Sequence, residues 1–189
     1  MKIAQYFLYF IALNIVSSGV PADEKIYHGV EPTLQLALKQ AVEDATSFPS
    51  HAEAAIWLSN KSRQVSRFVS DPFYLIELLK LIHAEAIRAG LDPELVLAVI
   101  QVESEYDRFA ISASGARGLM QVMPFWVKEI GHPTDDLFHP QTNLRYGCAI
   151  LSYYLRLTNG DVKDALARYN GRRGQKRYPG RVYAAMRRP

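Results

Sequence analysis

Asp92-Pro93-Glu94-Leu95-Val96-Leu97-Ala98-Val99-Ile100-Gln101-Val102-Glu103 reads as one helix with both ends marked. Asp92 is an N-cap, and Pro93 takes the first helical position, where a missing N–H costs nothing. The run that follows is almost wholly apolar, so the helix is expected to lie in a core. It runs out near Glu103 into Ser104-Glu105-Tyr106, and residues 106–118 carry the Gly and small Ala of a loop.

The same start signal appears at Asp71-Pro72, which opens a helix expected to reach about Ala89 and stop at Gly90. Upstream, residues 32–45 place Leu34, Leu38, Ala41, Val42 and Ala45 at helical spacing. Ser50-His51-Ala52-Glu53 has capping-box spacing and opens a short helix toward Leu58. Downstream, residues 119–123 read as a short helix stopped by Pro124, and residues 125–130 as another, ended by Gly131. Pro140 starts the longest C-terminal helix, which ends near Thr158. Asp161 caps the next, through Asn170. Gly171, Gly174, Pro179 and Gly180 break the chain before a last helix over residues 181–187. No alternating strand pattern appears, so the chain is expected to be all-α. Residues 71–189 form the main body, and residues 23–70 a helical extension packed on it.

The first residues differ from the rest. Lys2 precedes an uncharged, mostly apolar stretch, residues 3–16, then Ser17-Ser18-Gly19-Val20-Pro21-Ala22 and the charged Asp23-Glu24-Lys25. This is the order of a cleavable secretory signal over residues 1–22, which implies a periplasmic protein. The apolar core is short for a membrane span of ~20 residues. The 189 residues are enough for a real core, and 49% hydrophobic with 22% charged content is ordinary for a globular protein. Cys148 is the one cysteine, so no intrachain disulfide forms; its helical setting suits a buried small hydrophobe. Net charge is +3, but beyond Asp164 there are no acids and eight basic residues. By itself such a tail reads as a solvated face; as a binding feature it suits nucleic acid, an anionic polymer or a membrane surface, and export argues against nucleic acid.

Glu103 is the residue with the most chemistry. Ile100, Val99 and Val96 lie three, four and seven residues back, on its own helix face. Poor solvation and the negative end of the helix dipole both favour the protonated carboxyl, as a general acid requires. Glu105 lies about 200° round the helix and is expected to face solvent. Residues 108–128 contain no Asp or Glu. Other chemistries lack their patterns. His28, His51, His83, His132 and His139 show no metal-ligand spacing, and neither a metal nor a cofactor is expected. Ser114 lacks the Gly of a nucleophile elbow, and Gly115-Ala116-Arg117-Gly118 is not a phosphate loop.

Glu103-Ser104 followed by Ser112-Ala113-Ser114-Gly115-Ala116-Arg117-Gly118-Leu119-Met120-Gln121-Val122-Met123-Pro124 resembles the first two motifs of the soluble lytic transglycosylases. Asn143-Leu144-Arg145-Tyr146-Gly147 and Ala165-Leu166-Ala167-Arg168-Tyr169-Asn170-Gly171 resemble the third and fourth, in the same order and spacing. The resemblance covers residues 74–183. It implies a lysozyme-like α fold with a cleft between two lobes. The implied reaction cuts the β-1,4 bond between N-acetylmuramic acid and N-acetylglucosamine in peptidoglycan and leaves a 1,6-anhydro end. One carboxyl suffices there, because the sugar's own N-acetyl and 6-hydroxyl groups stand in for the second one an ordinary glycosidase needs.

By the same resemblance Glu103 is the acid and then the base. Gln121 offers its amide to N-acetyl or hydroxyl groups, and Met120 packs against a sugar ring or the N-acetyl methyl. The Tyr169 hydroxyl lies near the acid and orients it or the substrate, and Asn170 braces the loop or meets the substrate. Ser104, Gly115 and Gly118 shape the backbone. The family continues Tyr-Asn-Ala-Gly where this chain has Tyr169-Asn170-Gly171-Arg172-Arg173-Gly174; Arg172 and Arg173 are expected to meet lactyl or peptide-stem carboxylates. The expected partner is the peptidoglycan strand, and the expected state a monomer. Two alternatives stand: a lysozyme-type hydrolase with Asp135 or Asp136 reaching the cleft, and a non-catalytic wall-binding subunit of an envelope machine.

Overall fold

The computed structural model describes residues 32–43 and 45–187. The expected signal segment lies outside the described residues. Eight helices make up the described chain: α1 (Pro32–Glu43), α2 (His51–Val65), α3 (Pro72–Arg88), α4 (Pro93–Glu103), α5 (Phe125–Ile130), α6 (Pro140–Leu157), α7 (Val162–Tyr169) and α8 (Arg177–Met186). Among the described residues the only β pairing is two isolated bridges, Ile111 with Arg117 and Arg117 with Val122. The all-α expectation holds. Among the same residues no helix is long and apolar enough to cross a membrane.

Local signals explain most helix starts. Asp71 Oδ1 accepts from the N–H of Phe73 and Tyr74 at 3.0 and 3.2 Å, and Asp92 Oδ1 accepts from Glu94 N–H at 2.9 Å. Ser50 Oγ accepts from Glu53 N–H at 3.2 Å, and Asp161 Oδ1 caps α7. Each cap contributes about 1 kcal/mol by satisfying an N–H that has no intrahelical partner.

Helix α3 is the hub. Leu75, Leu78, Leu79 and Ile82 on it are fully buried, each contributing about 2 kcal/mol by leaving water. Helices α1 and α2 pack on α3, α6 packs on another side of it, and α4 joins α3 to α8. Leu38, Leu58 and Val65 of the first two helices belong to the same apolar cluster as Val96, Ile100, Leu144 and Val182. Buried Glu85 on α3 is held by Arg88 and by Arg145 of α6, which donates to Glu85 Oε1 from Nη2 at 2.9 Å. Two guanidiniums offset the cost of burying that carboxylate. Cys148 is a buried thiol, raised to about 12 chiefly by desolvation, so it behaves as an apolar group.

Three helix expectations need correction. Helix α2 runs on to Val65 instead of stopping near Leu58, because Ser59, Ser62 and Val65 continue its buried face and no breaker intervenes. Residues 119–123 form a turn, not a helix. Gly118 (φ 72°) and Gln121 (φ 48°) are left-handed, and Arg117 and Val122 exchange two backbone hydrogen bonds across the turn. The last helix starts at Arg177, earlier than expected. Pro179 falls in its first turn, where a backbone N–H has no intrahelical acceptor to lose.

Gly147 on α6 lets that helix approach the 119–123 turn. A Cβ there would overlap the Sδ and Cβ of Met120. Gly147→Ala is therefore expected to lower stability by about 1–3 kcal/mol through overpacking. Urea denaturation measures this, and an unchanged midpoint would show that α6 and the turn have slack between them.

Candidate active site

Glu103 is the last residue of α4, and the chain turns sharply after it. Ser104 caps the helix, with its N–H donating to Ile100 O. Glu105 and Tyr106 follow at φ 52° and 67°, a left-handed conformation that costs a non-glycine residue about 1–2 kcal/mol. Burial of the Tyr106 ring and donation from its hydroxyl to Leu97 O at 3.1 Å hold the turn in place. Glu105 itself is exposed and lies beyond the helix.

The 110–122 loop is tied to this helix end by side chains. Ser104 Oγ donates to Leu119 O at 2.8 Å and to Ile100 O at 3.2 Å. Asn143, buried on α6, accepts from Met120 N–H at 2.8 Å, while its Nδ2 donates to Arg117 O and Leu137 O, both at 2.8 Å. Gly118 admits Asn143: a Cβ there would run into its carboxamide and into Leu137 O. Gly115 is left-handed at φ 84° with open space around it, so its glycine is required by the turn alone.

Tyr178, on α8, donates from its hydroxyl to Glu103 Oε1 at 2.6 Å. The neighbouring Arg181 donates to Val102 O at 3.2 Å and lies within electrostatic reach of the carboxyl. Desolvation raises the pKa of Glu103, against the smaller opposing effects of the Tyr178 hydrogen bond and the Arg181 charge. Tyr178 is itself pushed well above the usual tyrosine value, chiefly by burial and then by the Glu103 charge. It therefore stays protonated and stays a donor.

The other expected site residues divide. Tyr169 does not bond to Glu103; its hydroxyl donates to Met120 O at 2.7 Å. It remains close enough for the Glu103 charge to raise its pKa, after the larger effect of burial. Met120 is fully buried against Gly147 and Cys148, so its side chain is a core group here and presents no face for a sugar. Gln121 Nε2 donates to Ala110 O and Gly118 O at 3.1 and 3.0 Å. Its amide N–H groups thus hold the loop, and Oε1 is the group left for a ligand. Asn170 caps α7 and, with Arg172, Gln175, Arg177, Tyr178 and Arg181, lines a cavity beside Glu103. Arg173 is exposed and outside that lining. Asp135 accepts from the Tyr146 hydroxyl at 2.5 Å and from His132 N–H at 2.9 Å, and Asp136 accepts from Phe138 N–H. Both acids serve the 132–138 turn.

Sequence reasoning assigned no role to Tyr178 or Arg181, and placed Asn143 in the third motif without one. A signal for Tyr178 was present, since Tyr178, Val182 and Ala185 form an i, i+4, i+7 stripe that is buried on α8. Reading Pro179-Gly180 as a break hid it.

A family model of the transglycosylase SLT domain matches residues 80–186. The chain belongs to this family. Among its relatives, a transglycosylase of Enterobacteria phage PRD1 is 38% identical over 108 residues, covering 53% of this chain and 40% of the relative. A membrane-bound lytic murein transglycosylase C of Photorhabdus laumondii is 36% identical over 112 residues, covering 51% and 31%. The chain thus spans less than half the length of these curated relatives. Among solved structures, an inactive mutant of the lytic transglycosylase Slt of Pseudomonas aeruginosa aligns over 85% of this chain and 30% of its own, at 21% identity and a TM-score of 0.47.

Two expectations follow from the carboxyl's surroundings. Because the folded protein holds the Glu103 proton more tightly than the unfolded chain does, this group makes stability fall as pH rises from about 4.3. The fall continues through its raised folded value. Glu103→Gln should therefore melt higher than the wild type at pH 7, with the two converging below about pH 4; a constant difference across that window would contradict it. Tyr178→Phe removes a bond to the ionised carboxyl, so it should raise the Glu103 pKa further. Carboxyl NMR titration reads that shift directly, and a lowered value would refute the assignment.

Proposed function

We propose that the chain is a peptidoglycan lytic transglycosylase of the periplasm, with Glu103 as its single acid and base. The observation that carries this reading is a protonation-prone carboxyl at the end of α4, held by Tyr178, in a domain of the transglycosylase SLT family. The bond cut is the β-1,4 link from N-acetylmuramic acid to N-acetylglucosamine. Glu103 gives its proton to the glycosidic oxygen as the C1–O bond breaks. The 6-hydroxyl oxygen of the same muramyl residue then closes on C1, and its proton passes to the Glu103 carboxylate. The acid is regenerated, no water is consumed, and the muramyl end is a 1,6-anhydro sugar.

The local geometry supports each requirement. A group that is acid and then base works best with its pKa near the operating pH. Burial raises Glu103, while Tyr178 and Arg181 keep the rise in check. Tyr178 occupies Oε1, leaving Oε2 for the glycosidic oxygen. Gln121 Oε1 is available to an N-acetyl N–H or a hydroxyl, and Tyr169 fixes the Met120 carbonyl beside them. The commitments of Asp135 and Asp136 to the 132–138 turn weigh against a two-carboxyl hydrolase. The basic start and apolar stretch of residues 2–16 support export to the periplasm.

Mass spectrometry of digested peptidoglycan tests the product. Anhydro-muropeptides, lighter by one water than reducing-end muropeptides, are expected; reducing ends would establish a hydrolase instead. Glu103→Gln should lower turnover at least about 10²-fold, as loss of a general acid does. Wild-type turnover in that variant would remove Glu103 from the chemistry.

A further inference from the structure

Arg172, Arg177 and Arg181 line one open cavity of about 240 Å³ together with Asn170, Gln175 and Tyr178. No carboxylate is among the lining residues. Some guanidiniums of the fold meet acids, Arg88 and Arg145 at Glu85 and Arg168 at Asp164 at 3.0 Å, and others meet neutral groups, as Arg156 does at Ser152 and Arg117 over the Phe138 ring; what sets this cavity apart is three arginines on one concave wall. Among the described residues Arg172, Arg177 and Arg181 make no ion pair with an acidic side chain within salt-bridge distance. The first turn of α8, with its positive dipole end, contributes Arg177 and Tyr178 to the same wall. A concave wall with three such cations and an amide on either side has the donors to hold a carboxylate in a bidentate fashion.

The cavity also has a position. Tyr178 forms its wall and, through its hydroxyl, holds Glu103 Oε1. An anion bound there sits one side chain away from the acid. We propose that this cavity is an anion subsite for a carboxylate carried on the muramyl residue, and that it selects which linkage of the strand meets Glu103. The inference rests on the peptidoglycan reading above. Two β-1,4 linkages alternate along such a strand. Only the muramyl sugar bears a lactyl ether, ending either in its own carboxyl or in a peptide stem with carboxyls. Anchoring that appendage beside Glu103 brings the muramyl C1 to the acid and leaves the glucosaminyl C1 one sugar away. The cations that do this are Arg172, Arg177 and Arg181, in place of the Arg172 and Arg173 pair that adjacency in sequence suggests.

The test compares the full chain on three preparations of glycan strands. The first is native; the second has its stem carboxylates converted to amides with carbodiimide and ammonia; the third is stripped of stems by an amidase and keeps only the lactyl carboxyl. Wild-type kcat/KM is expected to be about tenfold higher on native than on amidated strands, the scale of one charge-assisted contact. In Arg172→Ala/Arg177→Ala that ratio should fall close to one, with the melting temperature unchanged because both side chains are exposed. Stripped strands that react like native ones extend the subsite to the lactyl carboxyl, which is free only there, and stripped strands that react like amidated ones restrict it to the stem carboxylates. Equal wild-type rates on native and amidated strands overturn the proposal, as does a double variant that keeps the wild-type ratio. Co-sedimentation of Glu103→Gln with the same strands separates the subsite from the reaction. Selective binding without any anhydro product from the wild type would sink the transglycosylase reading and leave the anion subsite standing.

Discussion

The carboxamide of Asn143 is the constraint on which the site's geometry depends. Buried on α6, it accepts from Met120 N–H and donates to Leu137 O and to Arg117 O, which also accepts from Val122 N–H. A buried backbone group without a partner costs about 1–3 kcal/mol, so no other single side chain could release this loop so widely. Ser104 and Tyr169 then fasten the same loop from α4 and α7, through Leu119 O and Met120 O. Side chains from α6, α7 and the end of α4 thus converge on residues 117–120, and the end of α4 is fixed as a result. The glycines serve this arrangement: Gly118 admits the carboxamide, and Gly147 admits the Met120 side chain.

Within that frame the protonation of Glu103 is a balance rather than an extreme. Desolvation by the α4 and α8 side chains favours the neutral acid, and the Tyr178 hydroxyl and Arg181 favour the carboxylate. A carboxyl left in an apolar wall without these two would hold its proton more strongly. One bonded to several full donors would already have lost it. The opposing influences come from α8, so the protonation of this carboxyl depends on a helix about 75 residues further along the chain.

That separation explains what the sequence made legible and what it did not. Helix starts at Asp71-Pro72 and Asp92-Pro93 were readable because a cap and an N1 proline act within four residues of each other. Glu103 was readable because its apolar wall lies on its own helix. The 119–123 turn was misread because Leu119, Met120 and Val122 are apolar at a spacing a helix would also use. Only the left-handed Gly118 and Gln121 and the cross-turn bonds of Arg117 decide otherwise. Tyr178 was out of reach for a different reason, since its partner is chosen by the packing of α8 on α4. Met120 shows the converse limit. Its motif position suggests contact with substrate, but Gly147 and Cys148 on α6 close over its side chain and leave only its carbonyl to Tyr169.

The basic C-terminal stretch also gains a physical meaning from its fold. Read linearly, eight cations after the last acid look like a solvated tail. The structure instead bends the stretch at Gly171 and Gly174, both left-handed, so that Arg172 returns toward Arg177 and Arg181 at the start of α8. Like charges gathered in this way repel each other, and the carboxyl within electrostatic reach of them is that of Glu103, through Arg181. Nothing in the packing demands the arrangement, because the buried face of α8 is made by Tyr178, Pro179, Val182 and Ala185. Arg172, Arg177 and Arg181 are exposed, and of the three Arg181 also donates to Val102 O of α4. A cluster of three arginines gathered at an open cavity, one side chain from a carboxyl whose proton burial helps to hold, is best understood through what it would attract. On the proposed reading, a carboxylate arriving there would relieve the repulsion and lessen the hold of Arg181 on the ionised form of Glu103, so the contact that positions a strand would also favour the protonated form of Glu103.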